Sequence, residues 1–501
     1  MLDRIARSPS KTLLVLLGAF VAGVAAHAFD ERQWLEPLLS VAAAAIMVPI
    51  GFAVRSRAWR LVCAALALAV LGVARYDAAL PVGPVAERTP PARAAWFTGT
   101  VAEEPRDSLK GTVLVMDRVF VSGGGAGERA VLSFRAPVAA SPGDRLSWRC
   151  RMRTRDPATR GQDRDAAWSC FPDAVPRVIS AAGWNAATGL LGAKRGIRSL
   201  AGALLPEPDA SLLLGLLIGD RGGIPPDLVA DFRATGTSHV LAVSGYNVHQ
   251  VVELAFVLCA ACAVKRRRAS WIVAGLLVFF VALTGGDAPV VRAAVMGGMG
   301  LVAGLIGRRN AGLGPLAVAA ALMLAHDPLI LRHDVGFRLS FAAVAGMRAF
   351  GPLIAARLTF LPAAFGVRSA AADTLAATAG TLPIALHDFG LLPFASPLVN
   401  VAIAPLIPLI MAAGAAAMAV GALAVPLAAP LAFACEMLSR LMLGIVGASA
   451  SVAPVLEARA TAAEAAVLYA ALALLRFGLG RPRVPRTPAP DPGVAAVRYD
   501  P

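Results

Sequence analysis

Charged residues are scarce in this sequence, and their scarcity excludes an ordinary water-soluble protein. Asp, Glu, Lys and Arg make up 16% of its 501 residues, whereas hydrophobic residues make up 57% and the mean hydropathy is +0.67. The apolar residues come in blocks of about 18 to 25, the length with which a helix crosses a bilayer core of about 30 Å. Helices are expected because backbone polar groups in lipid must be satisfied within their own segment. The sequence therefore predicts an α-helical membrane protein.

Motifs for energy coupling and for metal-dependent hydrolysis are also lacking. No GxxxxGK[ST] loop occurs, which excludes nucleotide hydrolysis by that route. The six histidines form neither an HxHxDH nor an HExxH cluster, which excludes hydrolytic metal sites of those types. We therefore expect a protein that is not an enzyme and that needs no metal or other cofactor.

Basic residues outnumber acidic ones, 47 against 32, and the formal net charge is +15. One interpretation is the positive-inside rule, which loads the cytoplasmic loops of any polytopic protein with Lys and Arg. The other is an anionic substrate or partner. Composition alone leaves both open.

The apolar blocks predict about 11 to 12 membrane spans and five regions. Residues 1–75 are N-terminal transmembrane helices, whose first block resembles a signal peptide and is expected to be retained. Residues 76–185, inserted after the third span, have a soluble composition. Interfacial or re-entrant amphipathic helices (186–237), further transmembrane helices (238–480) and a Pro/Arg-rich tail (481–501) follow. The predicted spans are 12–29, 35–54, 59–75, 238–264, 270–285, 288–306, 313–327, 336–356, 370–387, 396–421, 426–449 and 462–479.

Basic clusters fall on one side of the membrane when these spans alternate. The positive-inside rule makes that side the cytoplasm. Region 76–185 is then extracytoplasmic and the tail cytoplasmic, where its arginines are expected to contact anionic lipid. The clusters are Arg4/Arg7/Lys11, Arg55/Arg57/Arg60, Lys265 to Arg268, Arg308/Arg309, Arg348/Arg357/Arg368 and Arg476/Arg481/Arg483/Arg486.

Region 76–185 contains short stretches of alternating polar and apolar residues, such as AAWFTGTV and RAVLSF, separated by Gly, Pro, Ser and Asp turns. This alternation predicts strands of a small antiparallel barrel or sandwich, an OB-like β domain. Cys150 and Cys170 lie here, whereas the other four cysteines lie in apolar segments. In an oxidising compartment the pair is expected to form a disulfide that closes a loop of about 20 residues. Two free cysteines are the alternative.

Five arginines stand out in the same region. On a strand, those from Arg149 to Arg155 form one row with a pitch of roughly 6.5 to 7 Å. Such a row suits the phosphates of a single nucleic-acid strand. The alternative is an edge strand protected against aggregation by its charge. The predicted DNA-binding residues are Arg145, Arg149, Arg151, Arg153 and Arg155.

The stretch 237–252, TSHVLAVSGYNVHQVV, places polar groups at the head of a long apolar run. At about 100° per residue they spread over more than half of a helix circumference. One lipid-facing helix cannot turn them all away from hydrocarbon, so we expect a break near Ser244 and Gly245, with two half-helices aiming polar groups inward. The alternative is that these residues make interhelical hydrogen bonds while the glycine permits close packing.

Other predicted spans also contain polar residues. Arg292 lies about one turn inside its span, where an ionisable group usually faces a partner or a water-filled path. Asp334 and Arg338 occupy an equivalent depth on another span, and a structural ion pair of Asp334 with an arginine is the alternative there. Asn400, followed by Pro405, predicts a kinked span in which the amide needs a buried partner.

Four motifs in a fixed order resemble the ComEC competence family, inner-membrane proteins through which transforming DNA enters the bacterial cytoplasm. They are GLLIGDRGGIPPDLVADFRATGTSHVLAVSGYNVH, LTGGDAPVVRAAV, DVGFRLSFAAVAG and TLPIALHDFGLLPFASPLVNVAIAPLIP. The sequence departs from the family at SGYN, where SGLH is usual, and at Arg338, where Gln is usual. The residues on the family patterns are Gly219, Asp220, Gly236, His239, Ser244, Gly245, Pro289, Arg292, Gly336, Phe337, Ser340, Phe341, Pro383, Pro397 and Asn400.

The resemblance implies a channel for single-stranded DNA in the cell inner membrane, with 238–480 as the channel domain. Expected partners are single-stranded DNA, the lipid bilayer, a DNA receptor outside, an ATP-driven motor inside and further copies of the chain. Many members also carry a C-terminal metallo-β-lactamase-like domain. We expect this protein to be a short form without it, so that another protein degrades the non-transported strand. The predicted translocation path comprises Asp220, Arg221, His239, Ser244, Gly245, Asn247, His249, Arg292, Asp334, Arg338 and Asn400.

Two other functions are compatible with the same residues. One is a transporter of another anionic solute or an envelope biogenesis factor, which needs no extended basic strand. The other is a degenerate paralogue without transport. Intact natural transformation in a deletion strain would favour either of them over a DNA channel.

Overall fold

A computed structural model shows a mostly helical chain with one small sheet region between residues 95 and 180. It describes residues 6–29, 56–80, 94–103, 105–108, 111–121, 128–136, 138–154, 166, 168–172, 174–181, 183, 186–220, 222–241, 243, 245–286, 288–305, 314–362, 367–452 and 455–478.

Helices occupy most of these residues, and two one-turn 3-10 helices, Ser238–Val240 and Val425–Ala428, interrupt the apolar segments. The α-helices are α1 (Pro9–Ala28), α2 (Arg57–Asp77), α3 (Ala186–Leu204), α4 (Asp209–Ile218), α5 (Pro226–Ala234), α6 (Gly245–Ala261), α7 (Arg266–Leu283), α8 (Ala288–Leu305), α9 (Gly314–His326), α10 (Ile330–His333), α11 (Val335–Ala355), α12 (Val367–Asp388), α13 (Ser396–Ile403), α14 (Leu406–Gly421), α15 (Ala429–Val452) and α16 (Ala462–Gly478).

Seven helical segments of the described chain are long and apolar enough to cross a membrane, so the protein is a multi-pass membrane protein. The prediction of about 11 to 12 spans is therefore confirmed only as far as several spans are present. The helices α9 and α16, with 13 and 17 residues, are short for a crossing, and α7 begins on three arginines. The predicted span 35–54 lies entirely outside the described residues. The seven segments are Pro9–Ala28, Arg57–Asp77, Ser238–Ala261, Ala288–Leu305, Val335–Ala355, Ser396–Gly421 and Val425–Val452.

Eight strands form the main sheet, in the order β6-β7-β4-β3-β1-β5-β8, with β2 paired to β3. Neighbouring strands are antiparallel except β4 and β7, which are parallel. A separate two-stranded sheet pairs β9 with β10. The strands are β1 (Ala95–Val101), β2 (Arg106–Ser108), β3 (Gly111–Val121), β4 (Glu128–Phe134), β5 (Arg145–Cys150), β6 (Arg153–Thr154), β7 (Trp168–Cys170), β8 (Arg177–Ser180), β9 (Leu391–Pro393) and β10 (Val455–Glu457).

The main sheet is curled, which brings together two strands that lie near its opposite ends. Strands β5 and β7 are separated by β1, β3 and β4, and four steps across a flat sheet would put them roughly 19 Å apart. Instead the Cα atoms of Cys150 on β5 and Cys170 on β7 are 6.3 Å apart, and a disulfide joins the two residues. Inside the curl, Phe97 stacks on Trp148 with ring centroids 6.2 Å apart. The apolar residues of the alternating pattern therefore form a closed core.

Region 186–237 differs in part from the amphipathic helices that the sequence predicts. Helix α3 has exposed basic residues, as expected, and Arg195 Nη2 donates to Ser141 Oγ at 2.9 Å, which ties the helix to the sheet region. Helix α4 has ten residues, all buried except Leu217. Gly414 on α14 approaches it so closely that a Cβ there would lie 2.3 Å from Leu213 Cδ1. Because other helices cover α4, it has no face for the membrane surface, and its length is too short for a crossing.

Candidate functional site

The arginine series of the sheet lies on its outward face. Arg145 and Arg149 on β5, Arg151 after it, and Arg153 on β6 all have exposed side chains, while the alternate residues point into the core. The row crosses from one strand to the next, because β5 pairs with β1 and β8 whereas β6 pairs with β7. Arg155 lies outside the described residues.

Two exposed aromatic side chains, which the sequence reasoning missed, lie beside this row. Trp96 on β1 is 45% exposed and is the cross-strand partner of Arg149. Phe171, directly after β7, is 68% exposed. The alternation in AAWFTGTV was the available signal, since it buries Phe97 and so turns Trp96 outward. The outward face therefore combines cationic groups with flat apolar rings.

The stretch 237–252 contains the predicted break. The 3-10 helix Ser238–Val240 ends before α6 begins at Gly245, and Ser244 lies outside the described residues. The His239 side chain, in the 3-10 helix, is exposed. The start of α6 lies directly against Arg292, since a Cβ on Gly245 would lie 2.7 Å from Arg292 Nη2.

Arg292 lies on α8 and is 7% exposed. Its Nη1 donates to the Ser340 carbonyl of α11, and its guanidinium carbon lies 5.9 Å from the centre of the Phe341 ring. Within the described chain no carboxylate pairs with it and its Nε has no hydrogen-bond partner. Two helices and the amino end of α6 thus enclose a cation that has no counter-ion among the described residues.

Two further residues of the predicted translocation path lie on α6 and have partners other than Arg292. Asn247 is 2% exposed, and its Nδ2 donates to the Leu216 carbonyl of α4 at 3.0 Å. The exposed His249 ring approaches Glu253 one turn later, with Nε2 and Oε1 3.0 Å apart. Asn247 therefore fastens α6 to the buried helix α4, and the structure does not bring His249 to Arg292.

The remaining path residues have separate local partners. Asp220 accepts from Arg198 Nε at 2.8 Å, and Asp334 caps α11 by accepting from the Phe337 N–H at 3.1 Å. Asn400 Nδ2 donates to Ser396 Oγ at 3.1 Å, close to where Pro405 separates α13 from α14 as the sequence predicts. Arg221 lies outside the described residues.

Arg338 has a partner that the sequence did not indicate. Its Nη2 lies 3.0 Å from Asp388 Oδ2 at the end of α12, and the two side chains are 15% and 14% exposed. The alternative pairing of Asp334 with an arginine is therefore not the arrangement found. A cavity of about 410 Å³ adjoins Asp388 and is lined by His387, Asp388, Arg459, Ala460 and Thr461.

A second buried carboxyl, also missed, begins α4. Asp209 is 1% exposed, with its Oδ2 3.7 Å from Arg440 Nε. Burial raises the pKa of this carboxyl, and the nearby Arg440 charge opposes the rise. Arg338 and Asp209 both have ionic neighbours, unlike Arg292.

Comparison with known proteins places this site in a family. A family model described as Competence protein matches residues 216–482, more than half of the chain and the part that contains α6, α8, α11 and α12. ComE operon protein 3 of Bacillus subtilis (strain 168) is 28% identical over 200 residues, 40% of this chain and 25% of that protein. The uncharacterized protein YcaI of Escherichia coli (strain K12) is 29% identical over 158 residues, 30% of this chain and 21% of that protein.

The similarity to these two relatives thus spans about a quarter and a fifth of their own length. No solved structure matches the chain. The family match covers the broken span, Arg292 and the polar ends of α11 and α12 together, and on this evidence the chain belongs to the competence protein family.

Proposed function

We propose that the chain conducts a single strand of DNA across the cell inner membrane during natural competence, as a channel and not as an enzyme. The observation that carries the proposal is the buried Arg292, without a carboxylate, at the start of a broken span in a member of the competence family. A polyanion with about one charge per nucleotide cannot enter hydrocarbon unaided. A cation held at a break in the helical wall lowers that barrier.

The sheet is proposed to gather the strand before it enters the membrane. Its strand order, its parallel β4–β7 pair and its curl support an OB-like barrel, a fold that binds oligonucleotides. Exposed Arg149 and Arg153 neutralise backbone phosphates, and the exposed Trp96 ring stacks on bases. Bases in a duplex are already stacked and paired, so Trp96 favours a single strand.

The orientation follows from the basic clusters under the positive-inside rule. It puts the sheet region 76–185 outside and the tail 481–501, which lies outside the described residues, in the cytoplasm. An outer DNA receptor would then deliver the strand to the sheet, and a cytoplasmic motor would draw it inward. Further copies of the chain are part of this proposal as partners.

The test is entry of labelled DNA into the cytoplasm of a deletion strain complemented with variants. We expect Arg292→Ala to abolish entry, because it removes the cation at the break, while leaving DNA bound outside. Arg149→Ala/Arg153→Ala is expected to reduce outer binding itself. Exposed Arg357 and Arg135 serve as matched controls, and their alanine variants should leave both measurements unchanged.

Protein abundance in the membrane is measured for every variant, so that loss of folding is not scored as loss of uptake. Normal DNA entry with Arg292→Ala at wild-type abundance would refute the channel assignment. Normal transformation of the deletion strain itself, with an altered solute or envelope phenotype, would favour a transporter of another anion or a biogenesis factor.

A further inference from the structure

Within the described residues, the cation of Arg292 lacks the ionic partner that the part-buried Arg338 has. Arg292 is 7% exposed, so more than nine-tenths of it is buried. The carbonyl of Ser340 and the Phe341 ring meet part of the guanidinium, but its Nε and the neighbouring Ser340 Oγ have no hydrogen-bond partner in the described chain. Arg338, by contrast, lies against Asp388. A guanidinium remains protonated in proteins, so this charge needs a counter-ion from elsewhere.

A second positive feature meets Arg292 at the same point. The guanidinium packs against Gly245, the first residue of α6, a helix of 17 residues. The first N–H groups of a helix have no partner within the helix, and the amino end has a partial positive charge. An arginine placed there is repelled by the helix unless an anion is bound close to both.

We propose that a phosphate group of the DNA backbone binds to Arg292 beside the amino end of α6. This inference rests on the proposed function and deepens it by naming the group that the site takes. The available groups are donors: Arg292 Nε and Nη2, the backbone N–H groups at the start of α6 and the Ser340 hydroxyl. Donors alone bind phosphate oxygens and do not distinguish bases. The site therefore holds any sequence.

The proposed phosphate site also has a consequence for the stability of the protein without DNA. In the absence of an anion, Arg292 is an uncompensated buried charge, and replacing it with an apolar side chain of similar length removes the cost of burying that charge. Arg292→Met should therefore unfold at a temperature no lower than wild type. A purely structural arginine, whose role is its bond to the Ser340 carbonyl, would show the opposite result.

The experiment uses the full chain, purified in a phosphate-free maltoside detergent, with Arg149→Ala/Arg153→Ala as background so that the sheet contributes little. The probes are a fluorescent decathymidylate, the same oligomer with an uncharged methylphosphonate backbone, an abasic phosphodiester oligomer and inorganic phosphate. We expect the two charged oligomers to bind alike and Arg292→Gln to weaken both at least about tenfold. Arg292→Lys should retain part of the binding, and Arg357→Ala all of it.

Equal binding of the methylphosphonate oligomer, or unchanged binding by Arg292→Gln, would overturn the phosphate site. So would a lowered unfolding temperature of Arg292→Met without DNA. Binding of inorganic phosphate as tight as that of the charged oligomers would assign the site to the free ion and overturn its assignment to DNA. Loss of DNA entry in Arg292→Gln cells despite any of these results overturns the phosphate site and leaves the channel standing. Weakened oligomer binding by Arg292→Gln together with normal entry of DNA into Arg292→Gln cells refutes the channel alone.

Discussion

Gly236 lies at the turn between α5 and the 3-10 helix. Because it has no Cβ, this turn can pack closely and position the broken span that follows. Its φ is +68°, and a Cβ there would lie 2.5 Å from Pro393 Cγ and 2.8 Å from Ser396 Cβ. The turn before α6 therefore packs directly on the end of β9 and the start of α13. Only glycine meets both the backbone and the packing requirement.

We predict that Gly236→Ala destabilises the protein. The left-handed conformation alone costs about 1–2 kcal/mol for a residue with a Cβ, and the contact with Pro393 adds to it. Thermal unfolding of the purified chain in detergent measures the effect. Gly202→Ala on α3 is the matched control, since nothing lies within 4 Å of a Cβ there, and it should be neutral or slightly stabilising. Equal midpoints for the two variants would contradict the prediction.

Among the elements, α11 and α12 form the closest helix pair of the candidate site. A Cβ on Gly346 of α11 would lie 2.4 Å from the Ala376 carbonyl oxygen of α12. Near the end of this crossing, Arg338 of α11 pairs with Asp388 of α12. The small residue permits the approach, and the ion pair forms because the approach is close.

We predict that Asp388→Asn strongly destabilises the protein, because it leaves Arg338 charged, largely buried and unpaired. Removing one partner of a buried pair costs about 3–5 kcal/mol. The double variant Arg338→Gln/Asp388→Asn should recover most of this loss, since two neutral amides replace the ions. Unfolding midpoints of the three proteins provide the measurement, and a double variant as unstable as Asp388→Asn would rule out the charge as the cause.

The elements show what the sequence can and cannot predict. The apolar block 288–306 matches helix Ala288–Leu305, and the break before Gly245 follows from polar directions around one helix, because both are local properties. The partner of Arg338 is 50 residues away and the carbonyl that Asn247 contacts is 31 residues away. Such pairs depend on which helices pack together, and neither hydropathy nor spacing contains that information. The burial of α4 was missed for the same reason.

In the whole molecule, α3 contacts the sheet region through one arginine and the segment after α4 through another. Arg195 bonds to Ser141 in the turn before β5, and Arg198 bonds to Asp220 after α4. The arginine face of the sheet and the Arg292 site thus belong to one connected structure. Under the proposed function, the side of the membrane that the sheet faces decides whether it meets DNA before or after the crossing.

We predict that Cys262, an exposed free cysteine near the Lys265 to Arg268 cluster, faces the cytoplasm. A membrane-impermeant maleimide should label it in inverted membrane vesicles and not in intact spheroplasts. The other free cysteines, Cys63, Cys259 and Cys435, are buried, so Cys262→Ser should abolish the signal. Labelling in spheroplasts would reverse the proposed orientation and put the sheet inside the cell.

With the sheet on the proposed outer side, the bond between Cys150 and Cys170 makes maturation of this protein depend on other enzymes of the cell. The cysteines lie on strands that three others separate in the sheet, so their oxidation requires that the sheet has already curled. On the proposed outer side, a thiol oxidase completes that step. A strain without such an oxidase would assemble the helices, leave the sheet unsealed, and lose competence although the gene for this chain is intact.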